Sequence, residues 1–399
     1  MSSLKQSRRT FLGTAAAAVL AAPQAVGAND TIQIGCIGTG GRCRQLLPAL
    51  KRIPGVRIVA LCDVNDANLD QTRPLADPQA FTTRHYKEVL DRKDVHAVLI
   101  ASPDHWHVPM TVDACAAGKD VYVEKPLTHS RAEETAVQEA QDRHHRIVQV
   151  GMQQRSMPHI QKAKEIVKAG RLGQVHKVHL TWNRNGDRVG RRASGLDPNK
   201  VDWKAFLGNA PDQPFDDYRL RSWRWFWDFG GGIFTDLMVH WVDVAHWLVD
   251  LDHPLKAVSV GSFVTAKDVW QTPDTVQTLL VYPGDVQVYF EGTFCNARNG
   301  AMLELMGSDA TLYVDRGRYE IHPERGRGNY EELVLGKGKR GRDFYDQPDG
   351  EQLHLENWLQ GIRGRHKPAA PVETGIRAAA AAHLANDALR SGQVAIWKS

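Results

Sequence analysis

The apolar run that opens at Thr31 passes through Gly38-Thr39-Gly40-Gly41 directly into RCRQLLPAL, a helix-like segment. A buried strand that turns on glycines into a helix is the opening of a βαβ unit. The alternation then continues. Strands are expected at 57–62, 95–101, 120–124 and 146–150. Helices are expected at 105–117, closed by Gly118, and at 130–143, opened by Ser130 with Glu133 placed as its capping-box partner. Parallel strands need long crossovers, and single helices supply them. The pattern therefore predicts an α/β unit with a parallel sheet and a ligand site at the carboxyl ends of its strands.

The glycine turn indicates what that ligand is. Backbone N–H groups at the start of a helix attract pyrophosphate, so Gly38, Thr39, Gly40, Gly41 and Arg42 are candidate cofactor-binding residues. The dinucleotide fingerprint places glycine or alanine where this chain has Cys43, a small residue tolerable where helix packs on strand. Asp63 ends the second strand, roughly 20 residues past the turn, where an acid accepts the ribose hydroxyls. An acid there repels a 2′-phosphate, so NAD is expected in preference to NADP. Two further strand ends carry chemistry-bearing residues: SPDHWH at 102–107 and VEKPLTHS at 123–130. Lys125 follows a buried strand, and Pro126 fixes the turn behind it, a position where a cis bond is one option. Taken alone, Lys125 reads as a surface lysine at a strand end.

With 399 residues, 42% of them hydrophobic, the chain can bury a large core and divides into two domains. Net charge is +4, but Lys5, Arg8 and Arg9 precede any globular pattern, so nothing points to nucleic acid. Cys36, Cys43, Cys62, Cys115 and Cys295 show neither a disulfide framework nor metal-ligand spacing. Residues 1–28 hold a twin arginine in SRRTFLG, a short apolar run and a small-residue stretch ending at Ala28, the layout of a Tat export signal. The apolar run is too short to span a bilayer well. The mature chain is expected to begin near Asn29 and to work in the periplasm or otherwise outside the cytoplasm.

After Gly151 the pattern changes, marking a boundary between a first domain at 29–150 and a second at 151–399. A helix at 159–169 and a strand at 175–182 are followed by alternating runs at 256–265, 274–282, 286–295, 301–306 and 310–314. These predict an α+β domain with an open, mostly antiparallel sheet and one wet face. The stretch 316–342 reads as a solvated loop, and closing helices are expected at about 351–363 and 373–390. Within WDFGGGIFTDLMVHWVDVAHWLVD at 227–250, three glycines mark a loop, and Asp236, His240 and Val244 share one face of the helix that follows. His246 lies off that face, so no metal site is assigned. Trp223, Trp225, Phe226 and Trp227 are open between sugar stacking, core and subunit contact.

The glycine turn, PDHWH, EKP and GGGIFTDLMVH, in this order, resemble the Gfo/Idh/MocA family of oxidoreductases. The phrases GRLGQV, VDWKAFLGNAP and SWRWFWDFGGG make the second half similar to its exported bacterial branch. The resemblance implies a Rossmann domain followed by an α+β domain, with the last helix returning to the cofactor domain. It implies Lys125, Asp236 and His240 as catalytic lysine, aspartate and histidine. Ser102, Pro103, His107 and Glu124 join the expected cofactor residues. SPD replaces the commoner threonine-proline-asparagine, which leaves His107 as the better carry-over there. Gln153, Arg155, Asn183 and Trp227 are candidates for substrate hydroxyls or rings, beside Asp236 and His240.

The expected activity is hydride transfer between a secondary hydroxyl of a sugar, glycoside or cyclitol and a tightly held NAD. One alternative is an NAD-dependent glycosidase that oxidises, eliminates, adds water and reduces again. Another is a sensor that binds sugar or nucleotide without turnover. Expected partners are the small carbohydrate and further copies of the chain, as a homodimer or homotetramer; no membrane span is expected.

Overall fold

The computed structural model describes residues 31–186, 189, 195–335 and 349–398. The export signal read at 1–28 lies outside them. The first domain is built from β1 (Ile32–Ile37), α1 (Gly41–Lys51), β2 (Val56–Cys62), α2 (Asp66–Thr72), β3 (Phe81–Thr83), α3 (Tyr86–Leu90), β4 (Ala97–Ile100), α4 (His107–Ala116), β5 (Asp120–Val123), α5 (Glu134–His144) and β6 (Val148–Val150). Its six strands pair in parallel in the order β3-β2-β1-β4-β5-β6. The strand order reverses between β1 and β4, and the crevice above their carboxyl ends is where such sheets bind ligands. Glu133 accepts the Ser130 backbone N–H at 3.1 Å, as the capping box requires. The short elements β3, α2 and α3 carry no period long enough to read from sequence.

The second domain adds α6 (Pro158–Lys168), β7 (Val175–Asn183), α7 (Trp203–Leu207), α8 (Asp217–Arg221), α9 (Val239–Val249), β8 (Lys256–Ser262), β9 (Thr275–Val281), β10 (Gln287–Thr293), β11 (Ala301–Gly307), β12 (Ala310–Asp315), β13 (Arg318–Pro323) and β14 (Glu331–Val334). Two helices, α10 (Gly350–Gly364) and α11 (Val372–Ser391), and the short strand β15 (Ala395–Ile396) close the chain. The sheet runs β14-β13-β12-β11-β7-β10-β9-β8-β15, antiparallel throughout except for the β7–β10 pair. Val276, Thr278 and Leu280 of β9 face the core, while Gln277 and Leu279 face outward, so one face is wet.

One expectation is corrected. The stretch 316–342, read as a loop, contributes β13 and β14. It escaped recognition because Arg318 and Glu320, two buried charges on one face of β13, pair with each other at 2.7 Å and disguise a strand as a polar run. Both closing helices reach the first domain. From α10, Leu355, Trp358 and Leu359 pack with Ile34, Leu46 and Leu99, and Trp358 meets Tyr122 of β5 edge-on at 5.6 Å. The last helix, α11, packs against α9 and β8 and touches the first domain at β6 and α5. Gly375 on α11 lets Val150 and Leu127 approach within 3 Å of where a side chain would begin.

A buried ion pair ties the start of the second domain to α9: the Arg155 guanidinium donates twice to Asp243, both at 2.8 Å. Removing one partner of such a pair strands the other charge, so Arg155→Met is expected to lose about 3–5 kcal/mol of stability. Trp358→Ala, which empties a fully buried site in the first domain's core, is expected to cost about 3–5 kcal/mol. Urea unfolding of both variants against the parent measures these losses.

Candidate active site

The turn between β1 and α1 is conformationally demanding. Gly38 has φ +79, and a side chain there would start 2.6 Å from the Ser102 backbone nitrogen. A Cβ at Gly41 would meet nothing within 4 Å, so space lies open before the helix start. This space belongs to a cavity of about 970 Å³ lined by Gly38, Gly40, Gly41, Arg42, Asp63, Asn68, Ser102 and Pro103. Its size and its open helix N-terminus fit a dinucleotide, with Gly40, Gly41 and Arg42 at the pyrophosphate.

Asp63 lies on that cavity, but its carboxylate is heavily engaged. It accepts from the Thr39 N–H at 2.7 Å, the Asn65 N–H at 2.9 Å and the Asn68 amide at 3.2 Å. Burial pushes its carboxyl up against these donors. Asp63 therefore holds the glycine turn in shape, and Asn68, which sequence reasoning missed, stands beside it at the ribose end.

A smaller cavity of about 260 Å³ shares Arg42, Ala101, Ser102, Trp223 and Arg224 with the first, so the two adjoin. Lys125, Asp236 and His240 all line it. The Lys125 ammonium, held just past β5 by a cis Lys125–Pro126 peptide, donates to the Asp236 backbone oxygen at 2.7 Å and to its Oδ1 at 2.9 Å. Arg224 donates to the same Oδ1 at 3.0 Å. Asp236 lies in a π-helical turn, Phe234–Met238, that leads into α9. The His240 ring stacks on Trp182 with centroids 5.0 Å apart. Burial, reinforced by the charges of Lys125 and Arg316, holds the imidazole well below its usual range, with Asp236 opposing. Among the described residues the ring has no hydrogen-bond partner, so its nitrogens remain for a ligand.

The other expected residues divide. Glu124 accepts from Arg42 Nε at 2.7 Å, and Glu351 at the start of α10 holds the same guanidinium at 2.5 Å. His107 bridges two strand ends, its ring nitrogens 2.6 Å from the Pro126 oxygen and 2.9 Å from the Ser102 oxygen. Burial lowers its pKa to about 4, and in the neutral ring the single N–H donates to one of these two carbonyl oxygens. Gln153 lines the small cavity and accepts from Arg42 Nη2 at 3.1 Å. Arg155 does not reach the cavity because Asp243 captures its guanidinium. Asn183 is turned to Glu291 and the Arg298 carbonyl, and Trp227 donates to the Gln271 carbonyl, so neither meets the site. Trp225 and Phe226 are core, while Trp223 lines both cavities.

Three more residues went unread. Gln154 lines the small cavity with both amide atoms buried and without a protein partner. Asp104, inside the SPDHWH motif, is buried, and burial pushes its carboxyl up to about 8 against the charges of Lys125 and Arg224. Trp182 comes from β7, far from either motif in sequence. No group of His, Cys, Asp and Glu among the described residues has the arrangement of a metal site, and none of the described helices is long and apolar enough to cross a membrane.

Two family models match the chain: "Oxidoreductase family, NAD-binding Rossmann fold" over residues 32–152, and "GFO/IDH/MocA C-terminal domain" over 160–313. Inositol 2-dehydrogenase from Gluconacetobacter diazotrophicus is 32% identical over 260 residues, 65% of this chain and 63% of that protein. A glycosyl hydrolase family 109 protein from Shewanella pealeana is 35% identical over 106 residues, 25% of this chain and 23% of that protein. The chain thus spans less than two thirds of either relative. A solved levoglucosan dehydrogenase in complex with NADH and levoglucosan superposes with a TM-score of 0.72 at 17% identity, covering 92% of this chain and 100% of that one. Parallel sheet, dinucleotide cavity and mostly antiparallel second sheet all agree with these matches, and the chain belongs to the Gfo/Idh/MocA family of NAD-binding oxidoreductases.

Proposed function

We propose that this protein oxidises a secondary hydroxyl of a sugar, glycoside or cyclitol with NAD, using His240 as the base. The observation that carries the reading is that Lys125, Asp236 and His240 meet in one cavity adjoining the cavity that fits a dinucleotide. The likeness to inositol 2-dehydrogenase and levoglucosan dehydrogenase supports a polyhydroxylated ring as substrate.

Oxidation of CH–OH removes a hydride from carbon and a proton from oxygen, leaving C=O. Bound NAD supplies the hydride acceptor. The proton passes to a ring nitrogen of His240, which burial and nearby cations keep neutral and able to accept it. Lys125 has three N–H donors; Asp236 takes two, and the third is available to the reacting oxygen. Its positive charge stabilises the alkoxide that develops there. Arg224 fixes the Asp236 carboxylate from the far side, and Trp182 fixes the plane of the imidazole.

The match to the family 109 protein favours one second reading, a redox-neutral glycosidase in which the same base serves oxidation and elimination. A sensor without turnover is disfavoured by the presence of all three groups. Export through the Tat route, read from residues 1–28, and self-association through the wet sheet face, where Val258, Val260 and Leu279 are exposed, complete the proposal.

Incubation with NAD and a panel of sugars, cyclitols and α- and β-glycosides, read by mass spectrometry, tests it. A product lighter by two hydrogens is expected. Hydrolysed glycoside without a ketone transfers the protein to the second reading, and an unchanged panel refutes both. His240→Ala is expected to lower kcat/KM by about 10²–10⁴-fold. The pH profile of kcat/KM for oxidation should rise as His240 loses its proton. Because its pKa is depressed in the folded protein, that limb lies below the ordinary 6.5 and the plateau is already reached there. Lys125→Met removes a charge that depresses it, so the limb should move upward; an acid limb at or above pH 6.5 in the parent counts against the assignment.

A further inference from the structure

The cavity that fits a dinucleotide has a floor from the first domain, but part of its wall comes from the second. Asp202, Lys204, Ala205, Phe206 and Gly208, all beyond the domain boundary in sequence, line the same space as Gly38, Gly40 and Asp63. They belong to one short stretch, 201–208, which contains α7.

This stretch is fastened to the first domain at two places. At its start, Val201 forms an antiparallel bridge with Asn65, and the Asp202 N–H donates to the Val64 oxygen at 2.8 Å. At its end, the Phe206 oxygen accepts from the Trp106 indole at 2.8 Å and lies 2.9 Å from His105 Nε2. Gly208 has φ +56, and a side chain there would start 2.4 Å from the Trp106 ring, so the indole rests on bare backbone. Asn65 and Trp106, one at each fastening, also line the cavity.

The sheet order shows what lies between the two fastenings. Val64 and Asn65 come just past β2, His105 and Trp106 past β4, and β1 stands between those strands with the glycine turn at its end. A stretch pinned on both sides therefore crosses over the end of β1 and its glycine turn. With one strand between them, β2 and β4 are about 10 Å apart, a gap that six residues can bridge. The crossing is a packed element. Val201, Phe206 and Leu207 are buried, Trp203 stacks on Phe206 with centroids 5.0 Å apart, and Phe206 meets Phe229, just ahead of the Gly230–Gly232 loop, at 5.0 Å.

We propose that residues 201–208 are a cofactor-binding strap of the second domain, which closes over bound NAD and retains it. Cofactor exchange then requires the strap to part from Val64 and Asn65 on one side or from His105 and Trp106 on the other. The first domain supplies the phosphate-binding turn, and the second supplies the closure.

A reversible lock tests this in the full chain. Residues that face each other across an antiparallel bridge have Cα atoms about 4.5–5.5 Å apart, within the range of about 4.4–6.8 Å that a disulfide spans. Asn65→Cys/Val201→Cys is loaded with NADH and cross-linked with oxidised glutathione, and the cross-link is verified by mass. Bound NADH is then chased with excess NAD and its release followed by NADH fluorescence. Release is expected to be about tenfold or more slower than from the same protein reduced with dithiothreitol. Trp106→Phe, which keeps an aromatic ring but removes the N–H given to Phe206, should release NADH about 5–10-fold faster than the parent. Equal release from the cross-linked and reduced forms overturns the proposal, as does failure of the two thiols to cross-link or an unchanged rate in Trp106→Phe. No sugar enters the measurement, so its outcome is independent of which hydroxyl the protein oxidises.

Discussion

One carboxylate holds the active region together. Asp236 presents its backbone oxygen and Oδ1 to Lys125, and the same Oδ1 to Arg224. Lys125 stands at the end of a parallel strand of the first domain, whereas Asp236 stands in the helical entry to α9 of the second. Their contact is therefore a join between two independently built sheets, made where both the cofactor and the substrate must be reached. At 11% and 13% side-chain exposure it is largely shielded from water, so it is screened less than a surface pair.

The backbone around Asp236 is shaped for this contact. Gly232 has φ +67, and a side chain there would start 2.7 Å from Thr272; one at Gly231 would start 2.4 Å from Thr235. Only glycine tolerates that combination of a left-handed turn and close approach. The chain then enters a π turn instead of a regular helix, a geometry often retained where a side chain must be re-aimed at a site. Asn386 of α11 donates to the Gly231 carbonyl at 2.9 Å and satisfies the loop from behind. The glycine run thus serves side-chain placement, and the closing helix anchors it.

How much of this could be read beforehand depended on locality. The parallel sheet, the glycine turn, the capping box at Ser130 and the shared face of Asp236 and His240 are encoded in short windows with strong periodicity, and the structure has them. Lys125 looked like a surface residue by itself; its role is visible only when Asp236 arrives from more than a hundred positions away. Arg155 misled because a lone arginine after a strand says nothing of the buried Asp243 that captures it. Gln154 was passed over for its neighbour Gln153, since adjacent glutamines are indistinguishable until the backbone decides which faces Arg42 and which is left unmatched. Trp182, Arg184 and Arg316 sit at ends of sheet strands, and only the pairing order of the sheet assembles them.

The cations of the cavity act on His240, the proposed base. Lys125 and Arg316 both disfavour a proton on His240, with burial the largest influence. A depressed imidazole is neutral and ready to accept a proton, but it is also a weaker base, so an empty cavity would oppose the step it is built for. The alkoxide that would develop near Lys125 offsets part of that field, so the ring's basicity recovers as the hydroxyl reacts. The lysine that depresses the imidazole in the empty cavity would thus be the group whose charge the reaction itself neutralises, which ties the strength of the base to the progress of the step.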